Sequence, residues 1–330
     1  MGGSGEVGVA GSRSDGVGRG SAMRVLVLYN PIAGSGRAVK AGQGVCLALK
    51  AAGHEAVAAE TRLDPGQKWL DPQLAEHELA VVVGGDGAMR LASGAASRTN
   101  TPLYHFPLGT ENLFAREFGT SRSIGKLLGA IERFEVKRID VGIANGRKFL
   151  LMASVGYDAE VANDLANRRR GAISHLTYLG PMLRQYRRWV PPRLTIDVDG
   201  EGLVAGARGC VVVANSRQYA RRIDPARCAS MSDGELDVVF FPVESRWDLV
   251  RWLASCLRRR QFSDARLGYR LGREVRIQIG PPQRYQLDGD RPESEAVESG
   301  EISAVSPGGV GEVSELRISL RPGVLPILLP

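Results

Sequence analysis

The sequence predicts two unlike halves, a doubly wound α/β domain followed by a mostly antiparallel β domain. Three observations carry this. Between Arg24 and Phe118, short apolar runs alternate with helical stretches, the pattern of a largely parallel sheet with helices on its faces. Beyond about Val136 strand-like segments dominate, with turn signals at Asn145-Gly146, Asp199-Gly200 and Asp288-Gly289. The length, 330 residues, suffices for two domains.

Arg24–Tyr29 (RVLVLY) is a continuous apolar run, as in a buried parallel strand. Asn30–Gly36 is a turn-rich loop. The helical stretch from Arg37 to Ala52 stops at Gly53, a usual C-terminal stop. His54–Ala59 and Leu79–Val83 read as strands, Asp86–Ala96 as a helix, Leu103–Phe106 as a strand and Glu111–Phe118 as a helix. In the second half the strands are Arg138–Ile143, Phe149–Val155, Leu194–Val198, Cys210–Ala214, Leu236–Phe241 and Val275–Ile279. Helices interrupt them near 158–169, 174–190 and 246–259. Leu316–Leu320 is a late strand that could join either domain, and Arg291–Gly300 and Pro322–Pro330 read as loop and tail. The expected division is a disordered tail at 1–22, an α/β domain at 23–136, a β-rich domain at 137–312 and a final strand and tail at 313–330.

Composition narrows the function classes. The chain is 43% hydrophobic and 24% charged, with a net charge of +7. A basic surface suits nucleic acid, anionic lipid or a nucleotide. No nucleic-acid-binding motif is present and the arginines are not interleaved with aromatics, so a nucleic-acid partner is not expected. Cys46, Cys210, Cys228 and Cys256 are far apart and form no CxxC pair, which excludes the usual zinc spacing and predicts reduced, mostly buried thiols. His54, His77, His105 and His175 show no ligand spacing. Residues 1–22 lack the apolar core of a secretory signal, and Glu6 breaks an N-myristoylation pattern. No apolar run approaches the ~20 residues that span a bilayer. A cytoplasmic protein is expected.

Three loops carry the chemistry. In Val81-Val82-Val83-Gly84-Gly85-Asp86-Gly87 a buried strand enters three glycines and a carboxylate before a helix. Glycines there let backbone N–H groups approach phosphate, and the helix N-terminus favours the anion. Asp86 needs Mg²⁺, a ribose hydroxyl or a substrate proton as partner, or it merely caps a strand-to-helix turn. Asn30-Pro31-Ile32-Ala33-Gly34-Ser35-Gly36-Arg37 and Pro107-Leu108-Gly109-Thr110-Glu111-Asn112 also join strand to helix. In a parallel sheet all three emerge at the carboxyl edge, where ligands bind. GxxxxGK[ST] is absent, as is GxGxxG after the first strand.

With Gly84-Gly85-Asp86-Gly87 between them, the loops Asn30-Pro31…Gly34-Ser35-Gly36 and Pro107–Ala115 resemble, in order and spacing, the ATP-site motifs of the diacylglycerol kinase catalytic family. Ala153–Ala159, Ser232–Val238 and Leu287-Asp288-Gly289-Asp290 resemble its later motifs, so the likeness runs from about Arg24 to about Leu320. It implies an ATP cleft between an α/β domain and a C-terminal β-sandwich, with Mg²⁺ as cofactor. Asn30, Pro31, Gly34, Ser35, Gly36, Thr61, Gly84, Gly85, Asp86, Gly87, Arg90, Gly109, Thr110 and Asn112 would serve the nucleotide. Asp86 would act on Mg²⁺-phosphate or the acceptor hydroxyl. Asp290 stands where the family has a Glu general base, and Asp233 and Asp237 match positions associated with a structural Mg²⁺. The sequence departs from the pattern at Ala88, where Thr is usual, and at Arg90-Leu91, where an Asn-Glu pair follows. Arg90 could itself stabilise phosphate charge.

The resemblance implies phosphoryl transfer from ATP to a membrane-lipid hydroxyl, the rivals being a soluble-substrate kinase of the NAD kinase kind and an inactive binding relative. Leu176, Leu179, Met182, Leu183, Tyr186 and Val190 recur at helical spacing among Arg184, Arg187 and Arg188. With Tyr186 and Trp189 this suits transient contact with a membrane surface, or an ordinary amphipathic core helix. Arg168-Arg169-Arg170 and Arg258-Arg259-Arg260 add basic clusters. A homodimer is compatible with the sequence.

Overall fold

The computed structural model describes residues 21–31, 36–62, 66–167, 179–220, 223–292 and 312–330. Gly34, Ser35, Leu176, Arg168–Arg170 and most of Arg291–Gly300, singled out above, lie outside these.

The first half runs β1 (Arg24–Tyr29), α1 (Arg37–Ala51), β2 (Glu55–Glu60), α2 (Gly66–Ala75), β3 (Leu79–Gly84), α3 (Asp86–Thr99), β4 (Leu103–Pro107), α4 (Leu113–Phe118) and α5 (Ile124–Arg133). β2, β1, β3 and β4 lie side by side, all parallel. Successive side chains of a strand point to opposite faces. Leu26, Leu28, Ala80 and Val82 accordingly pack with Trp69, Leu70 and Met89 of α2 and α3. Val25, Val27, Val81 and Val83 pack with Val45 and Leu49 of α1 and Leu127 and Ile131 of α5. Continuous apolar runs are what a sheet covered on both faces demands. Sequence patterning missed α2, which holds an internal Pro72, and α5, whose Ser123 side chain accepts from Lys126 N–H.

The second half runs β5 (Val136–Ala144), β6 (Arg147–Phe149), β7 (Met152–Val155), α6 (Tyr157–Asn167), α7 (Leu179–Arg188), β8 (Arg193–Val198), β9 (Glu201–Ala214), β10 (Leu236–Pro242), α8 (Arg246–Leu257), β11 (Gly268–Gly272), β12 (Glu274–Leu287) and β13 (Glu312–Leu328). Apart from one parallel bridge made by β13, its pairings are antiparallel. Leu194, Ile196 and Val198 of β8, Val211 and Val213 of β9, Ile277 of β12 and Ile318 of β13 form a separate core. The chain is thus a mixed α/β protein with a C-terminal sheet domain.

Two sequence expectations are corrected. Phe149–Val155 is two strands, because Leu150 and Leu151 turn their N–H groups to the carboxylate of Asp288. The Pro-rich end is no tail: β13 continues to Leu328, its pairing with β5 shifting register between Arg321 and Leu325. Pro322 and Gly323 sit in that irregularity, where a missing donor and a positive φ of 60° are tolerated. Of the two settings left open for Trp189, membrane surface or core, it takes the core, where it is buried and meets Tyr157 edge-on at 5.8 Å.

Candidate active site

The parallel register aligns the three loops. Tyr29 pairs with Val83, and Gly84 with Pro107, so Asn30, Gly85 and Leu108 leave the sheet at one edge. Thr61 joins them by donating its N–H to Tyr29 O at 2.9 Å. Gly36 opens α1 with φ 83°, a conformation glycine adopts without strain.

Gly85 and Gly109 bring the two inner loops into backbone contact. A Cβ on Gly109 would lie 2.7 Å from Gly85 Cα and 2.9 Å from Asn112 Oδ1. Asn112, itself at φ 50°, clasps Gly109 from both sides: Oδ1 accepts the Gly109 N–H at 2.7 Å and Nδ2 donates to Gly109 O at 2.8 Å. Beneath them His105 is buried with Nε2 3.0 Å from Gly84 O, and burial lowers its pKa to about 4. A neutral imidazole therefore supports the Gly84 carbonyl. Sequence spacing gave no sign of this residue. Thr110 is exposed at the loop tip.

Asp86 starts α3 yet caps α4. Its Oδ2 accepts from Leu113 N–H at 3.0 Å and its Oδ1 from Phe114 N–H at 2.9 Å. Burial raises its pKa, the two amides oppose the rise, and the negative charge of Asp290 adds to it. Asp86 thus does not cap the helix it opens, whose N-cap is Gly85, but the neighbouring one, which leaves the side chain rigidly aimed.

Asp290 arrives from the other half. Leu287 and Asp290 exchange two backbone hydrogen bonds around Asp288 and Gly289, both at positive φ, a tight Asp-Gly hairpin turn. A Cβ on Gly87 would sit 3.1 Å from Asp290 Oδ2, a tight contact from which the carboxylate would have to withdraw by a few tenths of an ångström. Asp290 remains 45% exposed at its side chain. Asp288 is buried; its oxygens accept from Leu150, Leu151 and Met152 N–H at 2.9, 2.7 and 3.0 Å. Burial pushes its pKa up to about 6 against the pull of Arg90 and those amides.

Arg90, expected at the phosphates, is buried and turned to this hairpin. Nη1 donates to Leu287 O and lies 3.9 Å from Asp288 Oδ2, and Nη2 is 3.4 Å from Asp290 Oδ2. It joins α3 to the turn. Gln286 Oε1 takes the Gly289 N–H at 2.6 Å, and Gln286 Nε2 donates to Ser154 Oγ at 2.7 Å. Ser154 donates to Asp158 Oδ2 at 2.5 Å, as does Tyr219 OH at 2.7 Å. Sequence reading gave Gln286 and Asp288 no role of their own and missed this network; the motif Leu287-Asp288-Gly289-Asp290 marked the place.

Asp233 and Asp237 lie elsewhere, Asp233 on a turn held by Asp140, whose Oδ2 accepts from Gly234 N–H at 2.8 Å, and Asp237 in the strand β10 that follows it. Asp233 accepts the N–H of Glu235 in its own turn. Asp237 is buried, accepts from Tyr269 OH at 2.8 Å, and is pushed up to about 6, chiefly by burial. Among the described residues no group of three or more His, Cys, Asp or Glu side chains could hold a metal ion. A Mg²⁺ carried by nucleotide phosphates needs only one or two protein carboxylates. Asp86 offers one such carboxylate: burial, and to a lesser extent the charge of Asp290, disfavour its anion, and a cation would offset both.

Residues 24–144 match the family described as Diacylglycerol kinase catalytic domain, and residues 152–328 match YegS C-terminal NAD kinase beta sandwich-like domain. A diacylglycerol kinase of Mycobacterium tuberculosis (strain H37Rv) is 31% identical over 236 residues, covering 69% of this chain and 76% of the relative. One of Bacillus subtilis (strain 168) is 25% identical over 272 residues, covering 81% and 89%. A solved diacylglycerol kinase structure from Bacillus anthracis str. Sterne superposes with a TM-score of 0.64 at 18% identity, covering 93% of this chain and 97% of that one. Another chain from that organism gives 0.71 at 19%, covering 97% and 98%. These structures share the fold; the two domain matches and the 31% identical relative establish that the chain belongs to the diacylglycerol kinase catalytic-domain family.

Proposed function

We propose that this protein transfers the γ-phosphoryl group of ATP to the hydroxyl of diacylglycerol or a similar membrane lipid. Family membership makes it a kinase with an alcohol acceptor. One observation supports the finer reading above others: Asp290 comes from the far end of the chain to lie against Gly87, beside the rigidly held Asp86. Two carboxylates of unlike setting thus meet at the edge where three glycine loops end.

The backbone of Gly84–Gly87 and Gly109 cradles the phosphates, with Asn30, Pro31, Gly34, Ser35, Gly36, Thr61, Thr110 and Asn112 completing the nucleotide site. Asp86 would hold Mg²⁺, which would neutralise phosphate charge when bound. The C-terminal sheet domain, read as a β-sandwich, presents the lipid. Asp290 accepts the hydroxyl proton as the lipid oxygen bonds to the γ-phosphorus and the bond to the ADP oxygen breaks. The exposed carboxylate is free to reach a substrate, and positioning supplies most of the rate. Arg90 steers Asp290 rather than the phosphates.

The test is transfer of label from γ-labelled ATP to lipid in mixed vesicles with Mg²⁺, read in the organic phase. Labelled lipid that disappears in Asp86→Ala supports the reading. Label in NAD instead of lipid would favour a soluble-substrate kinase, the reading encouraged by the NAD-kinase-like description of the second half. ATP binding without any phosphorylated product would point to an inactive relative.

A further inference from the structure

Helix α8 (RWDLVRWLASCL) is apolar on two faces. One face is buried: Trp252 and Cys256 enter the core, Leu249 packs against it, and Trp252 Nε1 donates to Pro242 O at 2.8 Å. The other carries Trp247, Val250, Leu253 and Leu257, all exposed, with Trp247 at 76% and Leu257 at 58%. Positions 247, 250 and 257 fall on one side of a helix. An apolar helix face in water costs free energy unless something covers it.

The surroundings say what. Arg246 and Arg251 flank the stripe and exposed Arg258, Arg259 and Arg260 follow it. The helix's one acidic residue, Asp248, is engaged by the Ser245 N–H and hydroxyl, with Arg266 at 3.7 Å. Arg246 Nη2 reaches Arg187 O at 2.7 Å, so the end of α7, with exposed Leu183, Arg187, Arg188 and Val190, adjoins the start of α8. An exposed tryptophan and aliphatics rimmed by arginines match the boundary of an anionic bilayer, apolar atoms entering the acyl edge while cations meet phosphate. A second copy of this chain would bring the same arginines against themselves.

We propose that α8, extended by the end of α7, is the surface by which the protein docks on anionic phospholipid membranes. This rests on the lipid-acceptor reading for its purpose, although the docking can be measured without any turnover. It places the contact mainly on a helix other than the one whose sequence pattern suggested it.

Trp69, Trp189 and Trp252 are buried and Trp247 alone is exposed among the four tryptophans, so intrinsic fluorescence reports on α8. The experiment titrates the full chain, without ATP or diacylglycerol, with phosphatidylglycerol vesicles, phosphatidylcholine vesicles and brominated-chain versions of each. Expected are a blue shift and bromine quenching with the anionic vesicles, reversed by high salt. Arg258→Gln and Arg259→Gln should each weaken partition roughly fivefold, given about 1 kcal/mol per basic residue near the surface. Trp247→Ser/Leu257→Ser should abolish sedimentation with vesicles while leaving activity on detergent-dispersed lipid unchanged. Unquenched Trp247, equal binding to neutral vesicles, or a dimer dispersed by the serine variant without vesicle binding would each overturn the proposal. A kinase that fails on detergent-dispersed lipid but still docks would instead indict the assigned reaction.

Discussion

Both oxygens of Asp86 accept N–H groups from the first turn of α4, which costs the side chain its freedom and orients its remaining lone pairs. Asp290 is held more loosely, through Arg90, and its exposure leaves it able to meet a substrate. The two carboxylates are electrostatically linked: Asp290's charge helps hold Asp86's pKa above its ordinary value. If Asp86 must be ionised, activity is lost as pH falls through its raised pKa. Asp290→Asn removes the like charge, so Asp86 should ionise more readily and the acid limb of kcat/KM should move to lower pH. The rate itself should fall ~10²–10⁴-fold if Asp290 is the base. A pH–rate profile of the variant checks both; an unmoved limb and a full rate would remove Asp290 from the reaction. Asp86 was visible in sequence because three glycines surround it. The roles of His105, Gln286 and Asp288, the last seen only as part of a motif, were not, since each acts on backbone groups 3 to 138 residues away.

At the scale of elements, the strand-loop-helix units of the first half were legible because each strand is covered on both faces and so reads as a continuous apolar run. The second half was legible in kind and poor in boundaries. β12 and β13 extend well past the apolar segments that marked them, because long antiparallel strands continue wherever a partner offers hydrogen bonds. What sequence could not show is that the loops after β3 and β4 are one object. Gly85 and Gly109 touch backbone to backbone, and Asn112 locks the second to its own loop. Gly109→Ala places a methyl carbon 2.7 Å from Gly85 Cα, inside any tolerable contact, and that neighbour is backbone, which cannot swing away. The loops must part. ATP affinity should drop roughly tenfold or more, since the phosphate cradle loses its shape. The fold should survive, because the strain falls on an exposed edge. Calorimetric titration beside a thermal melt separates the two, and wild-type affinity in a folded Gly109→Ala protein would deny the loop pair its role.

Across the whole molecule, β13 is the strand that binds the halves together. Its first part pairs with β12 in the C-terminal sheet domain, and from Ile318 to Leu328 it pairs with β5, on both sides of the irregularity at Arg321–Leu325. At Ile327 it lies parallel to Leu103 and so covers the open side of β4. Leu325, Ile327 and Leu328 are buried; Leu325 and Ile327 join the core that runs from Leu26 and Val82 of the first half to Val212 and Trp252 of the second. Removing residues 322–330 would therefore strip three core side chains and leave the outer edge of β4, still paired with β3 on its other side, uncovered. Each buried aliphatic is worth about 2–5 kcal/mol on truncation, against a total domain stability of roughly 5–15 kcal/mol. An unpaired edge strand also templates association. The shortened protein should lose its cooperative melt and aggregate, whereas Leu325→Ala alone should stay folded with a lowered urea midpoint. Circular dichroism and light scattering on both variants test this. A monomeric, cooperatively melting deletion would mean that the Arg90 contact with the Asp288–Asp290 turn is enough to hold Asp290 against Gly87, and that the returning strand does not set the geometry of the cleft.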